Sequence, residues 1–411
     1  MPRDLVAGLD VGTTKVAAVV GQVGPEGLTG IIGLGTAPCH GMRKGVVVDI
    51  EATVKSIREA VSKAQRMAGV NIESVYLGIA GGHISSLNNR GVVAVTREDK
   101  EITAEDVNRV LEAARLIHIP PDREIIHVLP RGYIVDGFNG IRDPVGLLGT
   151  RLEVEANIVT TAINSMQNLM RCVYRAGLGV EEVVLLPLVA GEAVLEPAEK
   201  DLGVILVDMG GGTTDVALFE GGSLWFTASI PLGGDHITSD IAVGLRTPIP
   251  HAESIKIKHG WALTSRAPDE VLLEVAQVGG HGTRQVSERV LASIIEPRLQ
   301  EIFGLVAREV KRSGYTRILP GGVVLTGGAA QMRGLPELAA AELDLPVRVG
   351  AAEVAGGLKD MVRGPGCAAT VGLVQYAARL LAQEPPLTRT LWGGVWERFR
   401  TWLVNLLSAG I

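Results

Sequence analysis

The chain has 411 residues, a length that bounds it to about two or three domains of ordinary size. With 46% hydrophobic and 20% charged residues it is a globular composition, and a disordered tail or a collagen is excluded. Lys and Arg number 39 against 45 Asp and Glu, and the net charge of −6 argues against non-specific nucleic-acid binding, which needs a basic face.

The first residues, MPRDLVAGLDVGTTK, carry Asp4 and Asp10 within an apolar stretch and show no cleavage site, so no signal peptide is expected. Short Val- and Ile-rich runs predict strands over Leu5–Leu9, Val16–Gly21, Val75–Ile79, Val183–Leu186, Val204–Val207, Val216–Phe219 and Val323–Leu325. Helical periodicity predicts helices over Glu51–Met67, Ala104–Leu116, Ala162–Arg175, Ser287–Ser313 and Gly334–Leu343. This alternation is the signature of an α/β architecture. Pro297 lies inside the longest helix, where a kink or break is expected. Cys39, Cys172 and Cys367 are far apart, without C-x-x-C or zinc spacing, so disulfides and a structural metal are not expected and a reducing cytoplasm is the natural compartment. No apolar run reaches the roughly 18 residues of a transmembrane helix.

One segment recurs. Val6-Ala-Gly-Leu-Asp10-Val-Gly12-Thr13-Thr14-Lys15-Val returns, half a chain later, as Val204-Ile-Leu-Val-Asp208-Met-Gly210-Gly211-Gly212-Thr213-Thr214-Asp215-Val. Each copy reads as strand, Asp, glycine turn, Thr-Thr, second strand, which predicts a duplicated α/β unit. Such a turn presents several backbone N–H groups on one concave surface that suits phosphate oxygens, and glycine lets the backbone come close. The threonine hydroxyls add donors and Lys15 a point charge. Asp10 and Asp208 would face each other and hold Mg²⁺, directly or through water. A single such turn serves equally well as a tight hairpin; two facing one cleft favour the phosphate site. Val323-Val-Leu-Thr-Gly327-Gly328 offers bare backbone for a base and ribose, although a plain strand-to-helix turn reads the same way. Pro231-Leu-Gly233-Gly234-Asp235 would close the ribose side.

The ordered set DVGTTK, DMGGGTTD, PLGGD and VVLTGGA resembles the actin/Hsp70/sugar-kinase ATPase superfamily. Within it, YLGIAGGHISS, HVLPRGYIVDGFNGIRDPVGLLG, AESIKIKHGWAL and IIEPRLQEIF resemble the FtsA family of bacterial cell-division proteins from end to end. The resemblance implies a duplicated, RNase H-like actin fold with ATP and Mg²⁺ in the cleft. It implies subdomain 1A at 1–83, 156–190 and 350–382, subdomain 1C at 84–150, 2A at 191–234 and 302–349, and 2B at 235–301. It also implies ATP-dependent polymerisation with further copies of the chain, contacts with later division proteins, and capture of the C-terminal peptide of the tubulin-like protein FtsZ through 2B. By position that peptide site falls at Arg284, Arg298 and Glu301; an ordinary solvated salt pair is the competing reading for the last two. One departure concerns hydrolysis. Where many relatives in the superfamily place an acidic or amide residue before a proline, Leu186 precedes Pro187, and Glu192 lies further on. Nucleotide binding with slow hydrolysis at best is therefore expected.

The tail is distinct. Aromatics are scarce, five each of Trp, Tyr and Phe, yet Trp392, Trp396, Phe399 and Trp402 crowd the last 20 residues. After a proline-bearing linker at 383–390, residues 391–411 form an amphipathic pattern. At about 100° per residue, Val395, Trp396, Phe399, Trp402, Leu403, Leu406 and Leu407 fall within roughly 140° of arc. About 20 Å of helix is too short to span a bilayer but suits its interface, with indoles at headgroup level and arginines toward anionic lipid. Docking on the protein's own core is the alternative. Two other functions share the cleft: a sugar or metabolite kinase, which needs a carboxylate base beside the substrate hydroxyl, and a pilus-assembly relative, which would lack the terminal helix.

Overall fold

The computed structural model describes residues 4–25, 27–279 and 282–383. The tail residues Trp392, Val395, Trp396, Phe399, Trp402, Leu403, Leu406 and Leu407 thus lie outside the described residues.

The first half opens with β1 (Leu5–Val11), β2 (Lys15–Gly24) and β3 (Gly27–Pro38), then a minimal hairpin of β4 (Met42–Arg43) and β5 (Val46–Val47). Helix α1 (Ile50–Ala68) starts where Asp49 accepts from the Ala52 N–H at 3.0 Å and stops at left-handed Gly69. Its buried stripe, Val54, Ile57, Val61 and Ala64, faces the sheet. β6 (Ser74–Ile79) runs parallel to β1. A separate unit is inserted next: β7 (Ile84–Ala94), α2 (Ala104–Arg115), β8 (Arg123–Val135), β9 (Phe138–Ile141) and β10 (Arg151–Ala162). Its antiparallel sheet, in the order β7-β10-β8-β9, packs its own core of Val110, Ala114, Tyr133, Leu152 and Val154. α3 (Ile163–Arg175) and β11 (Gly179–Leu185) return to the main sheet, and α4 (Leu186–Val194) leads into the second half.

The second half holds α5 (Pro197–Leu202), β12 (Val204–Met209), β13 (Thr214–Glu220), β14 (Ser223–Ile230), α6 (Gly234–Leu245) and α7 (Ile249–His259). A small hairpin, β15 (Leu272–Ala276) with β16 (Thr283–Ser287), precedes α8 (Glu288–Arg312), β17 (Val323–Thr326), α9 (Leu335–Leu343) and β18 (Val347–Val349). After α10 (Lys359–Val362), α11 (Ala368–Gln383) crosses back and buries Val371, Val374 and Ala377 in the first half's core with Val6, Val19 and Ile31.

The duplication read from the sequence is realised strand for strand. The first sheet runs β3-β2-β1-β6-β11 and the second β14-β13-β12-β17-β18. In each, the central strand pairs antiparallel with its hairpin partner and parallel with the strand on its other side. Val204, Ile205, Leu206 and Val207 are all buried, because a central strand covered on both faces has no polar side. Of the kink or break expected at Pro297, the break does not occur: α8 is one helix of 25 residues. Pro297 and Ser293, whose carbonyl loses its helical partner, are both exposed, on the side of the helix that solvent reaches.

Candidate nucleotide site between the two halves

Both glycine turns close with the same hydrogen bond. Gly12 N–H donates to the Lys15 carbonyl at 3.0 Å, and Gly210 N–H to the Thr213 carbonyl at 2.9 Å. The turns meet tip to tip, Gly211 against Thr14 and Gly212 against Thr13; a Cβ on Gly212 would lie 2.5 Å from Thr13 Oγ1. Backbone this close to a threonine admits only glycine. Asp10 and Asp208 stand at the ends of β1 and β12, in equivalent positions of the two sheets.

The electrostatics are those of crowded acids. Burial raises the Asp10 carboxyl, against the pull of Lys15 and Thr370. Burial, then the charges of Asp215 and Asp10, push Asp208 up to about 7. Asp215, opposite Asp208 on β13, is pushed up to about 6 by burial, although Ser229 and Thr213 hydroxyls favour its charge. Three carboxylates raised first by burial, Asp208 and Asp215 also by neighbouring acids, call for a cation or a proton. Among the described residues no three His, Cys, Asp or Glu converge as a metal cage. The donor set fits Mg²⁺ in its usual manner, two carboxylates supplemented by phosphate and water oxygens.

The other expected elements assemble around these turns. Gly234 N–H donates to the Gly210 carbonyl and Asp235 N–H to the Gly211 carbonyl, each at 2.9 Å, so the PLGGD segment sits directly on the second turn. Gly327 has φ +89°, and a Cβ there would collide with Asp208 Oδ1; its N–H donates to the Pro365 carbonyl at 3.1 Å. Gly328 is exposed beside Gly366. Lys15 Nζ crosses to the Gly366 carbonyl at 3.0 Å.

Several residues join this site that the motifs did not single out. Asp215 is one. Thr370 Oγ1 reaches Asp10 Oδ2 at 3.5 Å from the first turn of α11, and Gly45 N–H donates to Thr13 Oγ1 at 3.2 Å from the β4–β5 turn. Lys256 of α7, only 10% exposed, donates to the Gly234 carbonyl at 3.0 Å and Thr238 Oγ1 at 2.8 Å and pairs with Glu253 at 2.6 Å. The three-residue spacing of Glu253 and Lys256, one face of a helix, was the signal available for the last pair.

Of the proposed peptide-binding residues, Arg298 and Glu301 are brought together as an ion pair on α8. Arg298 is also held by Asp240 of α6, through Nε at 2.6 Å and Nη2 at 2.9 Å, and that carboxylate raises the guanidinium further. Exposed Arg284 lies on β16 and donates to the Leu245 carbonyl at 3.0 Å. Near the expected water-orienting position, Leu186 opens α4, and Glu192 is engaged by Arg379 at 2.9 Å.

Comparison with known proteins places this geometry. A family model described as "Cell division protein FtsA" matches residues 205–372, and one described as "SHS2 domain inserted in FTSA" matches residues 81–160, the inserted unit. The cell division protein FtsA of Pseudomonas aeruginosa is 46% identical over 372 residues, 90% of this chain and 89% of that one. That of Neisseria meningitidis serogroup B is 44% identical over 404 residues, 97% of each chain. Among solved structures, the PilM–PilN type IV pilus biogenesis complex aligns at TM-score 0.65 with 18% identity, covering 93% of this chain and 100% of that one. MreB5 of Spiroplasma citri bound to ADP aligns at TM-score 0.57 with 14% identity, covering 93% and 98%. The structural likenesses give the actin-like fold, and the sequence identities give the family: the chain belongs to the FtsA family of bacterial cell-division proteins.

Proposed function

We propose that this chain binds ATP with Mg²⁺ between its halves, assembles with its own copies, and tethers FtsZ filaments to the cytoplasmic face of the cell membrane at the division site. The observation that carries the reading is the pair of Asp–glycine turns, equivalent at Asp10 and Asp208 and at Gly12 and Gly210, that meet tip to tip between the halves, with Lys15 and Lys256 as the cations around them. Asp10 and Asp208 hold the ion; Gly12, Thr13, Thr14, Lys15 and Gly210–Thr214 cradle phosphate; Gly234, Gly327 and Gly328 receive the ribose and base. Bound Mg²⁺ would screen the phosphate charge. Turnover is slow at best, since Leu186 stands where an acidic or amide residue would orient water and Glu192 is paired with Arg379.

In the same reading subdomain 1C is the inserted unit, which runs beyond the expected 84–150 because β10 pairs with β7 as far as Thr161; it meets later division proteins, and residues 235–301 are subdomain 2B. Arg284, Arg298 and Glu301 there meet the acidic and polar groups of the FtsZ peptide. The tail 391–411 lies on anionic lipid. A single short amphipathic helix binds reversibly, and a filament carrying many multiplies the attachment through effective concentration. Co-sedimentation with anionic vesicles, for the full chain and a version ending at Ala382, with and without ATP, tests this. The full chain is expected to sediment, more so with ATP, and the shortened one to stay in solution. Equal sedimentation of the two sinks the anchor, and sugar-dependent ATP turnover would mean a kinase instead.

A further inference from the structure

The inserted sheet reaches the second half and holds the edge of its sheet by side chains. β14 is an outer strand, and an outer strand leaves N–H and C=O groups that need partners. Thr227, 3% exposed, donates its N–H to Ser86 Oγ at 3.0 Å, and its carbonyl accepts from the same hydroxyl at 3.1 Å. Two residues earlier, the Trp225 carbonyl accepts from Asn157 Nδ2 at 3.0 Å. That fully buried amide also donates to Asn88 Oδ1 at 2.9 Å. Ser86 and Asn88 share a face of β7, and Asn157 of β10 stands opposite Asn88, so three polar side chains act where a neighbouring strand would. This explains why β7 reads ISSLNNRGVVA, polar for a strand next to a core. Arg131 of β8 lies 5.0 Å over the Trp225 ring, and Arg142 pairs with Asp201 at the end of α5 at 2.9 Å.

Apart from the Asn157–Asn88 bond, which steadies the amide within the inserted sheet, these contacts join a unit grown from the first half to the second half. We propose that they form a brace on the cleft: the halves separate only as Ser86 and Asn157 leave β14. Because β14 is hydrogen-bonded to β13, which carries Thr214 and Asp215, the brace resists movement of the second phosphate turn. Nucleotide release and the seating of the inserted unit are then coupled, each weakening when the other is loosened. The coupling, though not the brace, rests on the nucleotide reading above.

The test uses the full chain with Ser86→Ala, Asn157→Ser, the hydroxyl-restoring Ser86→Thr, and Arg97→Ala at the exposed Arg97–Asp99 pair of the same unit as control. Hydrogen–deuterium exchange around Thr227, without nucleotide, is expected to quicken about 5–10-fold in Ser86→Ala and Asn157→Ser, and to stay near wild type in the other two. Release of a fluorescent ADP is expected to quicken about 3–10-fold in the same two variants only. Unchanged exchange at Thr227 in Ser86→Ala overturns the brace. Faster exchange with unchanged release overturns its coupling to the nucleotide. A wild-type chain that binds no nucleotide overturns the nucleotide reading, and Thr227 exchange then decides the brace alone.

Discussion

His83 presents two ring nitrogens that are buried and make no hydrogen bond, and burial with the nearby Arg123 charge pulls its pKa down to about 4. A histidine neutral in the folded chain but ordinary in the unfolded one withdraws stability as pH falls. The loss begins near the ordinary imidazole value of 6.5 and is complete near 4, because only the unfolded chain takes up the proton there. His83→Phe, which removes the titration and no hydrogen bond, is expected to flatten this fall by up to about 3 kcal/mol, read as the difference between urea unfolding curves at pH 7 and pH 4.5. A parallel fall in both proteins refutes the assignment. Gly327 makes the opposite case. Its positive φ and its contact with Asp208 Oδ1 forbid a Cβ, so Gly327→Ala should cost more than about 1 kcal/mol and weaken nucleotide binding together. Asp10 and Asp208 were legible because a repeat announced them. Asp215 lies in the same repeat, but only its burial among other carboxylates distinguishes it from a surface acid.

At the scale of elements, helices with caps and apolar stripes were readable. α1 has Asp49, a stripe and Gly69, all local signals. β3 was not, because Gly27, Gly30, Gly33 and Gly35 dilute its strand character; it is a strand because β2 pairs with it along its length. For a related reason Pro297 does not end its helix. Local chemistry disfavours proline in a helix by about 3 kcal/mol, yet α8 buries Leu291, Ile295, Leu299, Ile302, Phe303 and Val306, and that burial outweighs it. Pro297→Ala should therefore stabilise the chain by about 1–3 kcal/mol in chemical unfolding, restoring a helical hydrogen bond without touching the core. A neutral or destabilising result would mean the helix gains nothing there.

For the whole molecule, a ligand held by turns from both halves stabilises them jointly. At about 100 times its dissociation constant, ATP with Mg²⁺ should add about 2.7 kcal/mol and raise the melting temperature by about 2–4 °C. Lys15→Met should remove most of that rise and also lower the nucleotide-free melting temperature somewhat, since it deletes the hydrogen bond to the Gly366 carbonyl and the cation that offsets the burial of Asp10 and Asp208. No rise in the wild-type chain would defeat the nucleotide reading.

The sequence by itself determined the duplicated plan and its two turns, because strand periodicity and glycine turns are local and a repeat doubles their signal. Tertiary structure alone decided what those turns meet. Lys256, Gly45 and the stretch from Pro365 to Thr370 come to the site from three separate segments. Ser86 and Asn157 likewise find β14 across a long separation in the chain. Contacts of that kind depend on how the halves pack, and nothing in the spacing of residues along a strand or helix carries that information.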